Sequence, residues 1–444
     1  MSVEDELRTA DVVSIDYEGR GIARLDGKTV FIKGALPSEK VVCRITQRKK
    51  QFDEAVVEKV LVPSPERVKP FCRYFDTCGG CALQHASDEA QVAYKQRVME
   101  EQLLRIGKVF PEQILPPIYG FSRHYRSRCR LAVRVGKENQ LTLGFQAKKS
   151  HDVVDVGSCI VLPKHISKSL HDVKMVLQFM VNLKTLITFI EFLDGDNLTV
   201  LNISVKQRPS EKSLSVLKTF TDEINRQNGK KWQVWLQIGN NPSEPFYPSR
   251  MPDLDYSLPE FDVVMPYRPG DFTQNNPHTN ALMVSRAVKL LDIRPGERVA
   301  DLFCGLGNFS LPLARYAAQV VGIEGADYLV KRAVENAKRN RCSSNTQFLK
   351  ADLFEITEKD IAAWGKFDKM LLDPPRSGAF AVVNALHAPY LPQRIVCISC
   401  NPGTFARDAA VLVGKGYSFK GAGIMNLFAQ TAHVESIGWF ELQH

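Results

Sequence analysis

The chain of 444 residues predicts a multidomain protein: a small OB-like β-barrel, an α+β central domain and a C-terminal α/β domain built on a Rossmann-like parallel sheet. Three observations predict it. Short apolar runs broken by turns fill residues 11–62, strand-like runs around one helical stretch fill 119–263, and strands alternate with helices from Asp271 onward. The divisions read as 1–68 for the barrel, 69–90 with 119–264 for the central domain, and 91–118 with 265–444 for the C-terminal domain.

In the barrel the strand runs are Val12 to Ile15, Gly21 to Leu25, Val30 to Ile32, Val41 to Ile45 and Ala55 to Val60, with Glu18-Gly19 and Asp26-Gly27 supplying turn chemistry. Pro63, Pro65 and Pro70 make a stiff linker. Asp88 to Gly107 has helical spacing and no proline, and Pro111 ends it. The central domain offers strands at Arg128 to Val135, Leu141 to Phe145, Leu198 to Val205 and Trp232 to Ile238, and a helix from His165 to Leu183; Ser210 to Ser213 reads as a loop. A helix over Asn280 to Leu291 and strands at Arg298 to Phe303 and Val320 to Glu324 open the C-terminal domain.

Composition excludes several classes. With 44% hydrophobic and 24% charged residues the chain is neither disordered nor fibrous. No run approaches the ~20 apolar residues of a membrane span, and the acidic start from Met1 to Glu6 lacks the parts of a secretory leader, so a cytoplasmic protein away from membranes is expected. The net charge of 58 − 49 = +9 has the right sign for a polyanionic partner. Ten cysteines without a leader point to metal ligation, nucleophilic chemistry or burial, not to disulfides.

Gly305 and Gly307 directly follow a buried strand, where the backbone can approach a ligand, and about twenty residues on Glu324 ends the next strand where a carboxylate can bind ribose hydroxyls. The plain alternative is a tight turn with a solvated Glu324. The third glycine of a dinucleotide motif is missing, since Asn308-Phe309-Ser310 follows, and Asp373-Pro374-Pro375-Arg376 ends a later strand, as in methyltransferases acting on nucleobases. Arg376 stands where adenine-directed enzymes carry an aromatic residue, which turns the expectation away from an amino nitrogen. Cys400, at another strand end, suits a pyrimidine C5 acceptor: sulfur added at C6 makes C5 nucleophilic. A base must then remove the C5 proton, and Glu435 with His433 beside it supplies one.

Phe272 to Asn276, Asp301 to Phe309, Asp373 to Arg376, Ser399 to Pro402 and His433 to Glu435, in this order, resemble the RNA uridine-C5 methyltransferase family. The resemblance implies S-adenosyl-L-methionine as cofactor, held by Gln274, Phe303, Asn308, Glu324, Asp352 and Asp373, with Cys400 as nucleophile and Glu435 as base. Asn426 to Gln430 departs from the family's Asp-x-Phe-Pro, so the loop leading to Glu435 is expected to differ in shape.

Cys72, Cys78 and Cys81, with a Gly79-Gly80 turn, can bring three thiolates to one centre, the fourth ligand being His85 for zinc or Cys159. The resemblance extends here: members of the large-subunit ribosomal RNA branch carry such a cluster with a later cysteine, which implies a [4Fe-4S] cluster on Cys72, Cys78, Cys81 and Cys159. Between Phe121 and Ser150, Arg123, Arg126, Arg128, Arg130, Arg134, Lys137, Lys148 and Lys149 face one acid, Glu138, with His124, Tyr125 and Phe145 interleaved, a composition that suits phosphates and unpaired bases. The N-terminal strands resemble a TRAM domain, an RNA-binding module. The whole implies methylation of a uridine in 23S ribosomal RNA by a monomer. Rival readings are the transfer-RNA branch, a TRAM-bearing radical enzyme, whose usual C-x3-C-x2-C spacing is absent here, and a non-catalytic RNA-binding protein, which would not need Cys400 and Glu435.

Overall fold

The computed structural model describes residues 6–227 and 229–443; the acidic start from Met1 to Asp5 lies outside the described residues. The N-terminal domain comprises β1 (Leu7–Asp11), β2 (Ser14–Ile15), β3 (Gly21–Leu25), β4 (Lys28–Lys33), β5 (Lys40–Arg48) and β6 (Phe52–Val62). They form a sheet of order β1-β5-β6-β4-β3-β2 among the described residues. Alternation makes it a barrel: Val41, Cys43 and Ile45 point inward with Val30, Ile32 and Ala55, and Val13 N donates to Ile22 O, which brings the chain after β1 back onto β3.

After the proline linker, α1 (Asp88–Gln102) starts at Ser87, whose side chain accepts from Ala90 N. A π-turn over Leu103–Gly107 ends it, and β7 (Gln113–Ile114) joins the far edge of the C-terminal sheet. The central domain runs β8 (Arg128–Val135), β9 (Leu141–Gln146), β10 (Val153–Asp155), α2 (Lys164–Asn182), β11 (Ile187–Asp194), β12 (Leu198–Val205), α3 (Glu211–Gln227), β13 (Lys231–Ile238) and β14 (Glu244–Tyr247). The Ser210 to Ser213 segment is not a loop but the entry to α3, because Leu214, Leu217, Phe220 and Ile224 repeat at helical spacing and bury one face on the sheet. Both helices cover one face of this sheet, where Cys129 and Leu131 point; Arg130 and Ala132 point to the other face, toward the barrel.

A hairpin of β15 (Asp255–Leu258) and β16 (Val263–Pro266) leads into α4 (Pro277–Leu291), β17 (Arg298–Leu302), α5 (Ser310–Leu313), β18 (Gln319–Glu324), α6 (Asp327–Arg339), β19 (Thr346–Lys350), α7 (Glu358–Trp364), β20 (Lys369–Leu372), α8 (Phe380–Ala385), β21 (Arg394–Ser399), α9 (Pro402–Gly414), β22 (Tyr417–Met425) and β23 (Glu435–Leu442). The sheet order is β19-β18-β17-β20-β21-β23-β22-β7, with β19 to β21 parallel and β23 antiparallel to both its neighbours. Both faces are buried, which is what a parallel sheet wound with helices requires.

The barrel and the Rossmann-like domain are as expected; the iron–sulfur part of the fold is corrected. Among the described residues no three His, Cys, Asp or Glu side chains are grouped to hold a metal ion. Cys72, Cys78, Cys81 and Cys159 are free thiols that ring a cavity instead of converging on a point. Burial pushes Cys81 up to about 12 and Cys159 up to about 11. His85 is buried beside Phe75 and joins no metal group either. No helix among the described residues is long and apolar enough to cross a membrane.

Candidate active site

The parallel strands all deliver their C-terminal ends to one edge, and the chemistry-bearing residues sit there. After β17, Phe303, Gly305 and Gly307 take positive φ angles of 64°, 56° and 98°, which folds the chain into an open loop ahead of α5. A Cβ built on Gly305 would meet nothing within 4 Å, so the loop leaves room for a ligand against its backbone. Glu324, at the end of β18, accepts from Gly305 N and Ala326 N at 3.0 Å each, tying the loop to the next strand. Asn308 is held in a reciprocal amide pair with Asn280 at 3.0 Å, and its Oδ1 also accepts from Tyr256 Oη at 2.9 Å.

Asp352 follows β19 at the same edge and is exposed; its Oδ1 accepts from Phe354 N at 2.9 Å, and the Phe354 ring lies 5.7 Å from that of Phe303. Gln274 is half-buried in the segment before α4. Two contacts fix that segment: Ser127 N donates to Asn275 O at 2.9 Å, and Arg332 Nε to Asp271 Oδ2 at 3.1 Å. Asp373 stands at the end of β20, where burial pushes its carboxyl up to about 7. Beneath the loop, Asp301 is fully buried: Ser310 donates to one oxygen, the other has no partner, and burial lifts this group too to about 7. An orphaned buried carboxylate oxygen and a second carboxyl at the same edge are groups that a cationic ligand such as a sulfonium would fit.

On the other side of the edge, Ser399 and Ser436 pair across β21 and β23, so Cys400 and Glu435 are next in register. Glu435 is 3% exposed, and burial together with Asp373 pushes its carboxyl well above the usual range. Cys400 is pushed up to about 11 by burial, then by Glu435 and Asp373; Arg376 opposes them. The Arg376 guanidinium donates to His433 Nδ1 at 2.9 Å, and burial, Arg376 and Lys95 push His433 down to about 4, leaving a neutral acceptor.

A cavity of about 630 Å³ joins these residues to the rest of the chain: Cys400, Arg376 and His433 share it with the four cysteines above, with Arg126 and with Tyr17 of the barrel. Next to it a cleft of about 1320 Å³ opens between barrel and central sheet. Arg130 lines it with its guanidinium 4.0 Å from the Phe189 ring centre, and so does Lys148, with its ammonium 4.1 Å from that of Phe75.

The model of the tRNA (Uracil-5-)-methyltransferase family matches residues 90–442, and that of the TRAM domain matches residues 6–57. The chain belongs to this methyltransferase family. It is 56% identical over 440 residues to the 23S rRNA (uracil(1939)-C(5))-methyltransferase RlmD of Neisseria lactamica, covering 99% of this chain and 97% of the relative. To the protein of the same name from Chromobacterium violaceum it is 48% identical, covering 97% and 84%. In fold it resembles the Pyrococcus abyssi tRNA (uracil-54, C5)-methyltransferase, solved with S-adenosyl-L-homocysteine, with a TM-score of 0.72 and 21% identity over 97% of this chain and 99% of that one.

Sequence reasoning missed several participants of this family member's site. Asn280 and Tyr256 were invisible because their role is to hold Asn308 from elements far away in the chain. Lys95, whose side-chain nitrogen is buried against the loop before Glu435, reads in the sequence only as part of a helix; its helical spacing from Val92, Val98 and Met99, which are buried with it, was the available signal. Of the basic run, Arg128 turns inward to Glu191 at 2.9 Å and Lys149 pairs with Glu54 at 3.0 Å, so neither offers a free charge to a ligand.

Proposed function

We propose that this family member transfers a methyl group from S-adenosyl-L-methionine to C5 of a uridine in 23S ribosomal RNA, at the position for which its curated relatives are named, uracil 1939. The observation that carries the reading is the register of Cys400 beside Glu435, with Cys400 lining a cavity that runs on toward the cationic cleft under the barrel. Cys400 is assigned the nucleophile and Glu435 the base; Gln274, Phe303, Asn308, Glu324, Asp352 and Asp373 are assigned to the cofactor. The domain limits proposed are those read from the sequence, and a cytoplasmic monomer acting on a flipped-out uridine fits the reading.

When bound, the cofactor supplies an electrophilic methyl group on sulfur. The Cys400 thiolate forms a bond to C6, and the C5–C6 π pair moves toward C4 and O4 as an enolate. C5 takes the methyl group and the released pair stays on the cofactor sulfur. Glu435 then takes the C5 proton; the C–H pair restores the C5–C6 double bond and expels the Cys400 thiolate. Arg376, the cation nearest this chemistry, favours the thiolate against the acids around it.

The test is transfer of labelled methyl from the cofactor to a 23S ribosomal RNA fragment containing the target uridine, with transfer RNA as the competing substrate the family model suggests. Cys400→Ala is expected to bind RNA and cofactor and transfer nothing, whereas Glu435→Gln should accumulate a labelled covalent RNA adduct that survives denaturation. Preferential labelling of transfer RNA would move the protein to the other branch, and normal turnover by Cys400→Ala would overturn the mechanism.

A further inference from the structure

The connection from β22 to β23 carries His433 and leads into Glu435, and a loop of nine residues this close to a reacting carbon must be held still. One face of α1 supplies side-chain contacts at its start and at its turn. Lys95 is 2% exposed, and its Nζ donates to Asn426 Oδ1 at 2.7 Å and to Phe428 O at 2.8 Å. One turn back, Gln91 forms a reciprocal clasp, donating from Nε2 to Gln430 Oε1 at 3.0 Å and accepting from Gln430 N at 2.8 Å. Another turn back, Asp88 Oδ1 accepts from Gln430 Nε2 at 2.8 Å. Positions 88, 91 and 95 fall on one side of a helix, so the three groups form a single polar strip.

The gripped residue is in a costly conformation. Gln430 has φ 69°, which a non-glycine residue adopts only when its surroundings impose it. Its carbonyl accepts from Ala82 N and Leu83 N, and the neighbouring Ala429 O accepts from Tyr125 Oη at 2.8 Å. The loop thus receives hydrogen bonds from the cysteine segment, from the basic segment and from α1. Its first residue, Asn426, follows Met425, and Met425 is the cross-strand partner of Glu435.

We propose that the Asp88, Gln91 and Lys95 face of α1 positions the catalytic base: it fixes both the start of the 426–434 loop and its strained turn at Gln430, and so sets where Glu435 meets the C5 proton. The proposal rests on the reading of Glu435 as base. Lys95 touches neither RNA nor cofactor in this role; it is a positioning residue, and so is Gln91. Because the base acts only after methyl transfer, loosening its loop slows the last step and leaves the earlier ones running.

The experiment uses the full chain with the 23S ribosomal RNA fragment and labelled cofactor. Lys95→Met and Gln91→Leu are expected to lower kcat by roughly 100-fold, to lower KM along with it so that kcat/KM stays within about twofold, and to accumulate the labelled covalent adduct. Because Lys95→Met leaves Asn426 unpaired in the interior, the double variant Lys95→Met, Asn426→Leu is measured beside it. It should regain the thermal stability and still accumulate the adduct, an outcome that a merely structural role would not give. Loss of turnover without adduct in these variants, or recovery of kcat along with stability in the double variant, would overturn the proposal. Glu435→Gln is the control for the underlying reading: if it traps the adduct and the α1 variants do not, the clasp alone fails, and if it traps nothing the assignment of the base fails first.

Discussion

The two sides of the reactive edge are built differently. On the cofactor side most groups belong to the loop directly after their own strand: Glu324 to the end of β18, Asp373 to the end of β20, the glycine loop to β17. Their contacts are chiefly with neighbouring strands and helices of the same domain, as with Glu324 accepting from Gly305 N; the segment of Gln274, which Ser127 of the central domain holds through Asn275, is the exception. On the substrate side one cavity draws on Tyr17 from the barrel, Cys81 from the segment after the linker, Arg126 from the central domain, and Cys400 and His433 from the C-terminal domain. A ligand of fixed shape can be held by one sheet edge. An RNA that must be bent open to present one base needs surfaces from every domain, and their assembly is the condition for reaction.

The largest expected effects separate these sides outright. Glu324→Ala should raise the KM for the cofactor by roughly 100-fold or more while leaving RNA affinity intact, because it removes both the carboxylate proposed to meet the ribose and the acceptor that holds the glycine loop. Arg376→Gln should leave cofactor affinity alone and change the pH dependence. Burial, Glu435 and Asp373 push Cys400 up to about 11 and Arg376 is the opposing cation, so its loss raises the thiol further. The rise of kcat/KM with pH is then displaced upward by about one unit, about tenfold in rate at neutral pH. The neutral His433 adds no ionisation between pH 5 and 8 because it is pushed down to about 4. An offset that is the same at every pH would mean that Arg376 acts by shape alone.

This difference also decides what was legible in the sequence. The cofactor side could be read because strand, loop and acid follow one another within a few residues, and the order of the motifs along the chain is the order of a doubly wound sheet. Cys400 and Glu435 were legible as chemistry, but their adjacency is a matter of antiparallel register that no local pattern states. The departure at Asn426 suggested a reshaped loop; what the sequence could not say is that Lys95, 331 positions away, meets its side chain. The cysteines were misread for a related reason. Short spacing brings thiols near one another, but whether they converge depends on the walls around them, and here they line a cavity. The loop read over Ser210 to Ser213 was a simpler error, since Glu211 to Ser213 are the polar first turn of α3.

A smaller effect tests the substrate side at a distance from the chemistry. Arg130→Ala and Lys148→Ala remove cations that line the cleft below the barrel, and each should lower the slope of log affinity against log salt by about one. Lys149→Ala should do less, since that charge is already paired with Glu54, and Arg128→Ala should cost stability instead, its partner Glu191 being 4% exposed. Equal slopes for all four variants, measured by RNA binding in a salt series, would show that the cleft is not where phosphates lie.

The smallest effect is on stability and belongs to the cofactor side. Asp301 is fully buried with one oxygen unpartnered, and burial, with Asp373 and Glu324 adding, holds its carboxyl at about 7. A carboxyl raised in the fold keeps a proton that the unfolded chain releases at about 3.9, so its contribution is fully present below that pH and declines as pH rises toward 7. Asp301→Asn removes the titration. Its advantage in Tm over the native protein should grow between pH 5 and pH 8 by about 2 °C, a small gain because so long a chain spreads one contribution over a large unfolding entropy. Thermal scans from pH 5 to 8 on both proteins check the expectation: if the two Tm curves run parallel, Asp301 does not titrate in this range and burial does not hold its carboxyl near 7 in the folded protein.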